Sequence, residues 1–264
     1  MQHVPTICKS LCGLFLAASL VLSGGVAVAA EIHVMTSGGF TAAYNVLVPE
    51  FERTTGHKVI TAYGASMGNA PDAIPSRLAR KERVDIVILA APALEDLVRQ
   101  GQVVAGSRVD LVRSFVGMSV RAGANKPDIS TVDALKRTLL DAKSIAYSAS
   151  ASGVYISTEL FQQLGIADQV AGKARRILSE RVGAVVARGE AELGFQQVSE
   201  LLPVPGVDFV GPLPAEVQRT TVFAAGISMD AQEPDAAKAL IRFFTTAAAA
   251  PVISRTGLEP ITQP

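Results

Sequence analysis

Three short turns carry the residue types best suited to chemistry in this chain. Thr36-Ser37-Gly38-Gly39, Gly64-Ala65-Ser66-Met67-Gly68 and Ser148-Ala149-Ser150-Ala151-Ser152-Gly153 each follow a strand-like run and precede a helix-like one. Such turns gather unpaired backbone N–H groups and hydroxyls at the positive end of a helix dipole, a neutral cradle for an anion. Taken singly, Ser and Gly are ordinary turn and cap residues. Three such turns in corresponding places point instead to a ligand site beyond the carboxyl ends of strands in an open α/β sheet. Arg77 follows the second turn, where a guanidinium grips a carboxylate in bidentate fashion, whereas Arg80 and Lys81 read as a solvated helix face. Tyr155 and Arg181, near the later turns, are further candidates of the same kind.

Signatures of catalysis are sparse. Beyond His3 the chain has only His33 in a strand-like run and His57 in a turn, without the spacing of paired metal ligands. There is no Gly-x-Ser-x-Gly elbow, phosphate-binding Lys-Ser/Thr loop, dinucleotide fingerprint or paired-carboxylate signature. No metal and no cofactor are expected.

The elements that must position these turns alternate short β-type runs with amphipathic helical runs, the pattern of an α/β fold with a mainly parallel sheet. Strands are predicted at 32–35, 59–63, 84–89, 114–120, 144–147, 176–179, 193–197 and 221–227. Helices are predicted at 40–55, 74–81, 93–100, 132–140, 154–164, 182–188 and 235–248, with Ser130 or Thr131 capping the fourth. The apolar run 84–89 is the kind that a strand buried on both faces carries.

Residues 11–22 form an apolar run after Lys9, and Ala27-Val28-Ala29 fits a signal-peptidase site. Residues 1–29 therefore read as a signal peptide cleaved near Ala29 or Ala30, and the mature protein as periplasmic. Both cysteines, Cys8 and Cys12, fall in that segment, so the mature fold must rely on its core without disulfides. Removing Lys9 from 24 basic residues leaves 23 against 24 acidic, a formal net charge of −1. That balance argues against nucleic acid or a membrane surface as a partner.

Several stretches carry a resemblance: Glu50-Phe51-Glu52-Arg53-Thr54-Thr55-Gly56-His57-Lys58-Val59, the Gly64-Ala65-Ser66 turn, Val84-Asp85-Ile86-Val87-Ile88, Ala151-Ser152-Gly153-Val154-Tyr155 and Thr256-Gly257-Leu258-Glu259-Pro260. Over nearly the whole mature length the chain resembles the molybdate-binding periplasmic protein family, within the type II periplasmic-binding fold. The resemblance implies two α/β lobes, each a mainly parallel sheet flanked by helices, enclosing a ligand. Lobe 1 would take residues 30–112 and 221–264, and lobe 2 residues 113–220, with hinges near 109–114 and 219–222. It implies serine hydroxyls of Ser37 and Ser66 on the ligand, backbone donors from residues 149–152, and a further backbone contact near Val182. Family members that bind molybdate carry a tyrosine in the segment that here reads Gly194-Phe195-Gln196-Gln197-Val198-Ser199, with glutamine in its place. An additional-looking segment, Asn69-Ala70-Pro71-Asp72-Ala73-Ile74-Pro75, follows the second turn. Amides and added loop surface suit a larger carbon-based anion with several acceptors better than a compact oxyanion.

Two functions follow. The leading expectation is a monomeric solute-binding protein that closes around a small anion, an organic carboxylate, and delivers it to an ABC-type permease; Glu95 and Asp96 are candidate surface acids for that contact. The alternative, which the resemblance to aconitate isomerase-like members implies, is a cofactor-free allylic proton shift between cis- and trans-aconitate. The ligand set for either is Ser37, Gly38, Ser66, Met67, Arg77, Ser150, Ser152, Gly153, Tyr155, Val182, Gln196 and Gln197, with Tyr155 or Glu200 as proton carrier in the enzyme.

Overall fold

The computed structural model describes residues 1–3 and 29–261; the expected export segment at 11–22 and both cysteines lie outside the described residues. β1 (Glu31–Thr36) leads through Ser37 into α1 (Gly38–Thr55). Gly56 ends α1 in the left-handed conformation (φ 77°), its N–H returning to Glu52 O at 2.9 Å. Then come β2 (Lys58–Tyr63), α2 (Ile74–Ala79), β3 (Ile86–Ala90), α3 (Ala91–Arg99) and the long β4 (Val109–Arg121). Thr131, not Ser130, caps α4 (Val132–Asp141), its hydroxyl accepting the Ala134 N–H at 3.1 Å.

β5 (Ile145–Ser148) is followed by α5 (Ala151–Tyr155), which runs through one π-helical turn (Ile156–Leu160) into α6 (Phe161–Gln163). The chain continues through α7 (Ala167–Ala171), β6 (Ala174–Ile177), α8 (Val182–Ala187), β7 (Leu193–Gln197), α9 (Val198–Leu201) and β8 (Val207–Pro212). β9 (Thr220–Ile227), α10 (Pro234–Phe244), α11 (Ala250–Arg255) and β10 (Glu259–Pro260) close it. Among the described residues no helix is long and apolar enough to cross a membrane.

The strands form one mixed sheet in the order β2-β1-β3-β9-β4-β7-β5-β6, with β8 and β10 also paired to β4. Pairing is parallel at the two ends, β2-β1-β3 and β7-β5-β6, and antiparallel through β3-β9-β4-β7. The expectation of mainly parallel sheets is corrected in the middle. β9 arrives from far along the chain, inserts between β3 and β4 and runs against both, a direction that helix–strand alternation does not encode.

Both faces of the inner parallel strands β3, β5 and β7 are covered, while the outer strands β2 and β6 keep exposed residues. Ile86, Ile88 and Ala90 of β3 pack with Phe40, Tyr44, Leu240 and Phe244 of α1 and α10. The alternating Val87 and Leu89 pack on the other face against Leu94 and Leu97 of α3. At the far end Ile145, Leu193 and Phe195 face the α4–α7 layer, while Ala146 faces Val182, Val185 and Val186 of α8. Asp85, fully buried just before β3, ties α10 to this core: its carboxylate accepts the N–H groups of His33, Gln232 and Glu233.

Gly153 shows how tightly α5 sits on the end of β5. A Cβ there would overlap Ser148 O and come to 2.6 Å from Ser148 C and 3.0 Å from Ser148 N. The obstacle is backbone, so no rotamer relieves it. Gly153→Ala is expected to cost about 1–3 kcal/mol of stability by overpacking, seen as a lower midpoint in urea denaturation.

Candidate functional site

The loops after β1, β2, β5, β6 and β7 meet around a cavity of about 400 Å³. These are the carboxyl ends of the parallel strands, where α/β sheets hold ligands. Ser37 and Ser150, both in the lining, occupy the N-cap positions of α1 and α5, yet neither hydroxyl caps its own helix. An N-cap serine ordinarily bonds the second or third N–H of its helix. At Ser37 the unmade bond leaves the hydroxyl free for an anion beside the helix-end N–H groups, whereas Ser150 Oγ accepts the Ser66 N–H at 3.3 Å. Ser37 is 1% exposed and its Oγ has no partner; Gln197 Oε1, also in the lining and buried, has none either. Two buried polar atoms left without partners at one cavity call for a polar occupant.

Glu200 is the group in this cavity with the most distinctive chemistry. It lies on the one-turn helix α9, which docks on the start of α1 through a 2.7 Å bond from Ser199 Oγ to Gly39 O. The Glu200 carboxyl presses against Gly38, where a Cβ would overlap its Oε1. Gln196 Nε2 donates to that same oxygen at 2.8 Å. Burial of the charge pushes the Glu200 carboxyl up to about 7, against the opposing pull of the Arg181 guanidinium and of hydrogen bonds from Gln196 and the Gln197 backbone. Arg181, at the start of α8, is the one cation in the lining and has no ion-pair partner among the described residues. Asp72 and Glu180 also line the cavity; Asp72 accepts from Ser179 Oγ at 3.3 Å, and Glu180 is held by Arg188 at 2.9 Å.

A carboxyl raised in this way is neutral in the folded protein over a window where it is ionised in the unfolded chain. Its contribution to stability is therefore fully present below about 4.5 and is lost as pH rises through about 7, at about 1.4 kcal/mol for each pH unit of that window. The melting temperature of the unliganded protein is expected to fall from about pH 5 to about pH 8, and Glu200→Gln to flatten that fall. Calorimetry of both proteins across the range checks it.

Of the residues singled out from the sequence, Ser37, Gly38, Ser150, Ser152, Arg181, Gln196, Gln197 and Glu200 line the cavity. Ser66, Met67, Arg77, Gly153, Tyr155 and Val182 do not, each for a local reason. Ser66 is fully buried: its Oγ accepts the Ala90 N–H at 3.0 Å, and its own N–H donates to Ser150 Oγ at 3.3 Å. Met67 packs on the α3 side of the core. Arg77 is spent on Asp72 O at 3.1 Å and on Glu82 at 2.7 Å. Gly153 is a packing glycine. Tyr155 donates to Val217 O at 2.5 Å beneath Arg219, and burial raises its phenol. Val182 N–H is taken by Gln196 Oε1 at 2.9 Å. Asn45, Tyr63 and Asp72 were not singled out as site residues, although Asp72 belongs to the added segment after the second turn. Glu95 and Asp96 are paired with Arg108 and Arg99. Among the described residues no group of three His, Cys, Asp or Glu is arranged to hold a metal ion.

A mixed sheet flanked by helices, with a polar cavity at the ends of its parallel strands, is the architecture of a protein that holds small solutes. The chain belongs to the family of bacterial extracellular solute-binding proteins, whose profile matches residues 32–259. It is 48% identical over 230 residues to an aconitate isomerase from a Pseudomonas species, spanning 87% of this chain and 88% of that one. It is 30% identical over 195 residues to the molybdate-binding protein ModA of Azotobacter vinelandii, spanning 73% and 74%. The solved periplasmic molybdate-binding protein of Azotobacter vinelandii superimposes with a TM-score of 0.70 at 22% identity, over 88% of this chain and all of that one.

Proposed function

We propose that the protein is a periplasmic, cofactor-free isomerase that interconverts cis- and trans-aconitate, built on a two-lobed solute-binding fold. The observation that carries this reading is the buried Glu200 carboxyl, held by Gln196 against the start of α1 and raised to about 7, in a cavity that also presents the Arg181 guanidinium and the Ser37 hydroxyl. Storage of an anion does not require a titratable acid in the site, and once ionised such a carboxylate repels the ligand. A proton shift needs such a group, with a pKa near the working pH. The 48% identity to an aconitate isomerase supports the same choice of substrate.

Glu200 in its ionised form takes a proton from the methylene carbon of the substrate. The electron pair moves into the allylic system, the double bond shifts by one position, and charge spreads onto the conjugated carboxylate. Protonated Glu200 then returns the proton to the carbon that had been vinylic, and the carboxylate is restored to ionised form. The helix-start N–H groups of α1 and the Ser37 hydroxyl stabilise the charge that builds on the carboxylate, and Arg181 holds another carboxyl of the tricarboxylate. Residues 30–112 with 221–264, and residues 113–220, form the lobes that enclose it. The occupied Val182 N–H argues against a compact oxyanion, since a donor expected to hold it is already bonded to Gln196.

Incubating the purified mature protein with cis-aconitate and following the trans isomer by proton NMR tests the assignment. Melting in the presence of molybdate, sulfate and a panel of di- and tricarboxylates accompanies it. A ligand at ~100 times its dissociation constant stabilises the fold by ~2.7 kcal/mol. Aconitate is expected both to stabilise and to be converted. Stabilisation without conversion would return the protein to solute capture, and stabilisation by molybdate alone would overturn the carboxylate reading as well.

A further inference from the structure

We propose that Gln196 is a positioning residue for Glu200: the Val182 backbone fixes its side-chain amide so that one N–H is always presented to the carboxyl. This rests on the reading of Glu200 as the proton carrier. Gln196 was expected to touch ligand, but it is 4% exposed and both ends of its amide are engaged by protein. Its Oε1 accepts the Val182 N–H at 2.9 Å, and its Nε2 donates to Glu200 Oε1 at 2.8 Å. An amide turned the other way would set its NH₂ against the Val182 N–H and its oxygen against a carboxylate, a mismatch at both ends. The backbone donor at the start of α8 therefore dictates the orientation, and the amide carries it to Glu200.

Gly38 bounds the same carboxyl oxygen on another side. Glu200 is thus held between a hydrogen-bond donor and a wall with no side chain, which restricts where its oxygens sit relative to a bound substrate. Few other charges act there. Arg181 at the start of α8 bears on Glu200 directly, and Asp72 and Glu180 share the cavity, with Glu180 paired to Arg188. The first turn of α1, β7, and β4 where it pairs with β7 at Val116–Ser119 bring no titratable side chain. On β8, Asp208 is bonded to the Gly123 N–H at 3.0 Å.

A donor to the ionised carboxyl favours that form, so its loss moves Glu200 titration upward. Two variants separate the effects. Gln196→Met removes both amide bonds, while Gln196→Asn keeps an uncharged amide one methylene too short to span Val182 and Glu200, and is the milder change should the methionine variant not fold. Carbon-13 NMR of labelled glutamate carboxyls, with the Glu200 signal assigned by Glu200→Gln, reads the titration without any need for activity. The expected result is an upward shift of about one pH unit in either variant. In turnover, the acid limb of kcat/KM is expected to move with it and kcat to fall about tenfold or more, with KM for aconitate within about twofold of the parent. An unmoved Glu200 titration overturns the proposal, as does a raised KM at unchanged kcat, which would make Gln196 a ligand contact. If the parent protein isomerises nothing, the assignment of function fails while the carboxyl titration still decides the role of Gln196.

Discussion

Glu200→Gln is expected to lower kcat for aconitate isomerisation by about 10²–10⁴-fold, the range a positioned general acid–base contributes. The substitution is nearly isosteric, and the glutamine Oε1 still accepts from Gln196 Nε2, so the 2.8 Å contact and the docking of α9 on α1 survive it. Ser37, Ser150 and Arg181 are left in place, so the ligand-induced rise in melting temperature should persist. Loss of turnover with binding retained is the signature of a group that acts in the transition state. In the parent, kcat/KM should rise with pH to a plateau, with a midpoint near the Glu200 value of about 7, because the base must be ionised to take the proton. Substantial residual turnover in Glu200→Gln would move the proton carrier elsewhere in the cavity, and Asp72 is the next carboxyl to replace.

The turns that build the site were legible because strand, Ser/Gly turn and helix stand together in the sequence. Ser37 and Ser150 fall at helix N-caps on the cavity as local rules suggest. Residue type alone does not say where a side chain spends its bonds. Ser66 also follows a strand, but α2 does not begin until Ile74, so Ser66 caps no helix and its hydroxyl is committed to Ala90 on β3. Arg77 looked free for a carboxylate and is held by the loop before it and by Glu82 after it.

The sequence pattern predicts a strand over 114–120, whereas β4 runs Val109–Arg121. Register shifts between Asp110 and Val112, and between Met118 and Ser119, break the period-two alternation that would have marked its full length. Glu200 was only one of two candidate proton carriers, because its environment depends on Gly38 and Arg181, which the fold and not the sequence brings to it.

Gly38→Ala supplies the second large effect and isolates the geometry from the chemistry. Gly38 is the first residue of α1 and has no left-handed backbone to protect, so alanine suits the helix at least as well as glycine. What the position lacks is room: a Cβ would overlap Glu200 Oε1 and come to 2.7 Å from its Cδ. The obstacle is the far end of a flexible side chain, so the carboxyl swings aside while the helix stays. Stability should therefore remain near the parent value, whereas kcat falls about 10²-fold, the cost of misplacing a reacting group by about 1 Å. Gly153→Ala makes the opposite case, since its Cβ meets backbone and stability gives way instead. The decisive comparison is Gly38→Ala placed in Glu200→Gln. If the glycine acts by seating that carboxyl, the double variant is no slower than Glu200→Gln alone, because both changes remove the same contribution. A further fall in the double variant would mean that Gly38 serves the substrate directly, through the backbone N–H it offers at the start of α1.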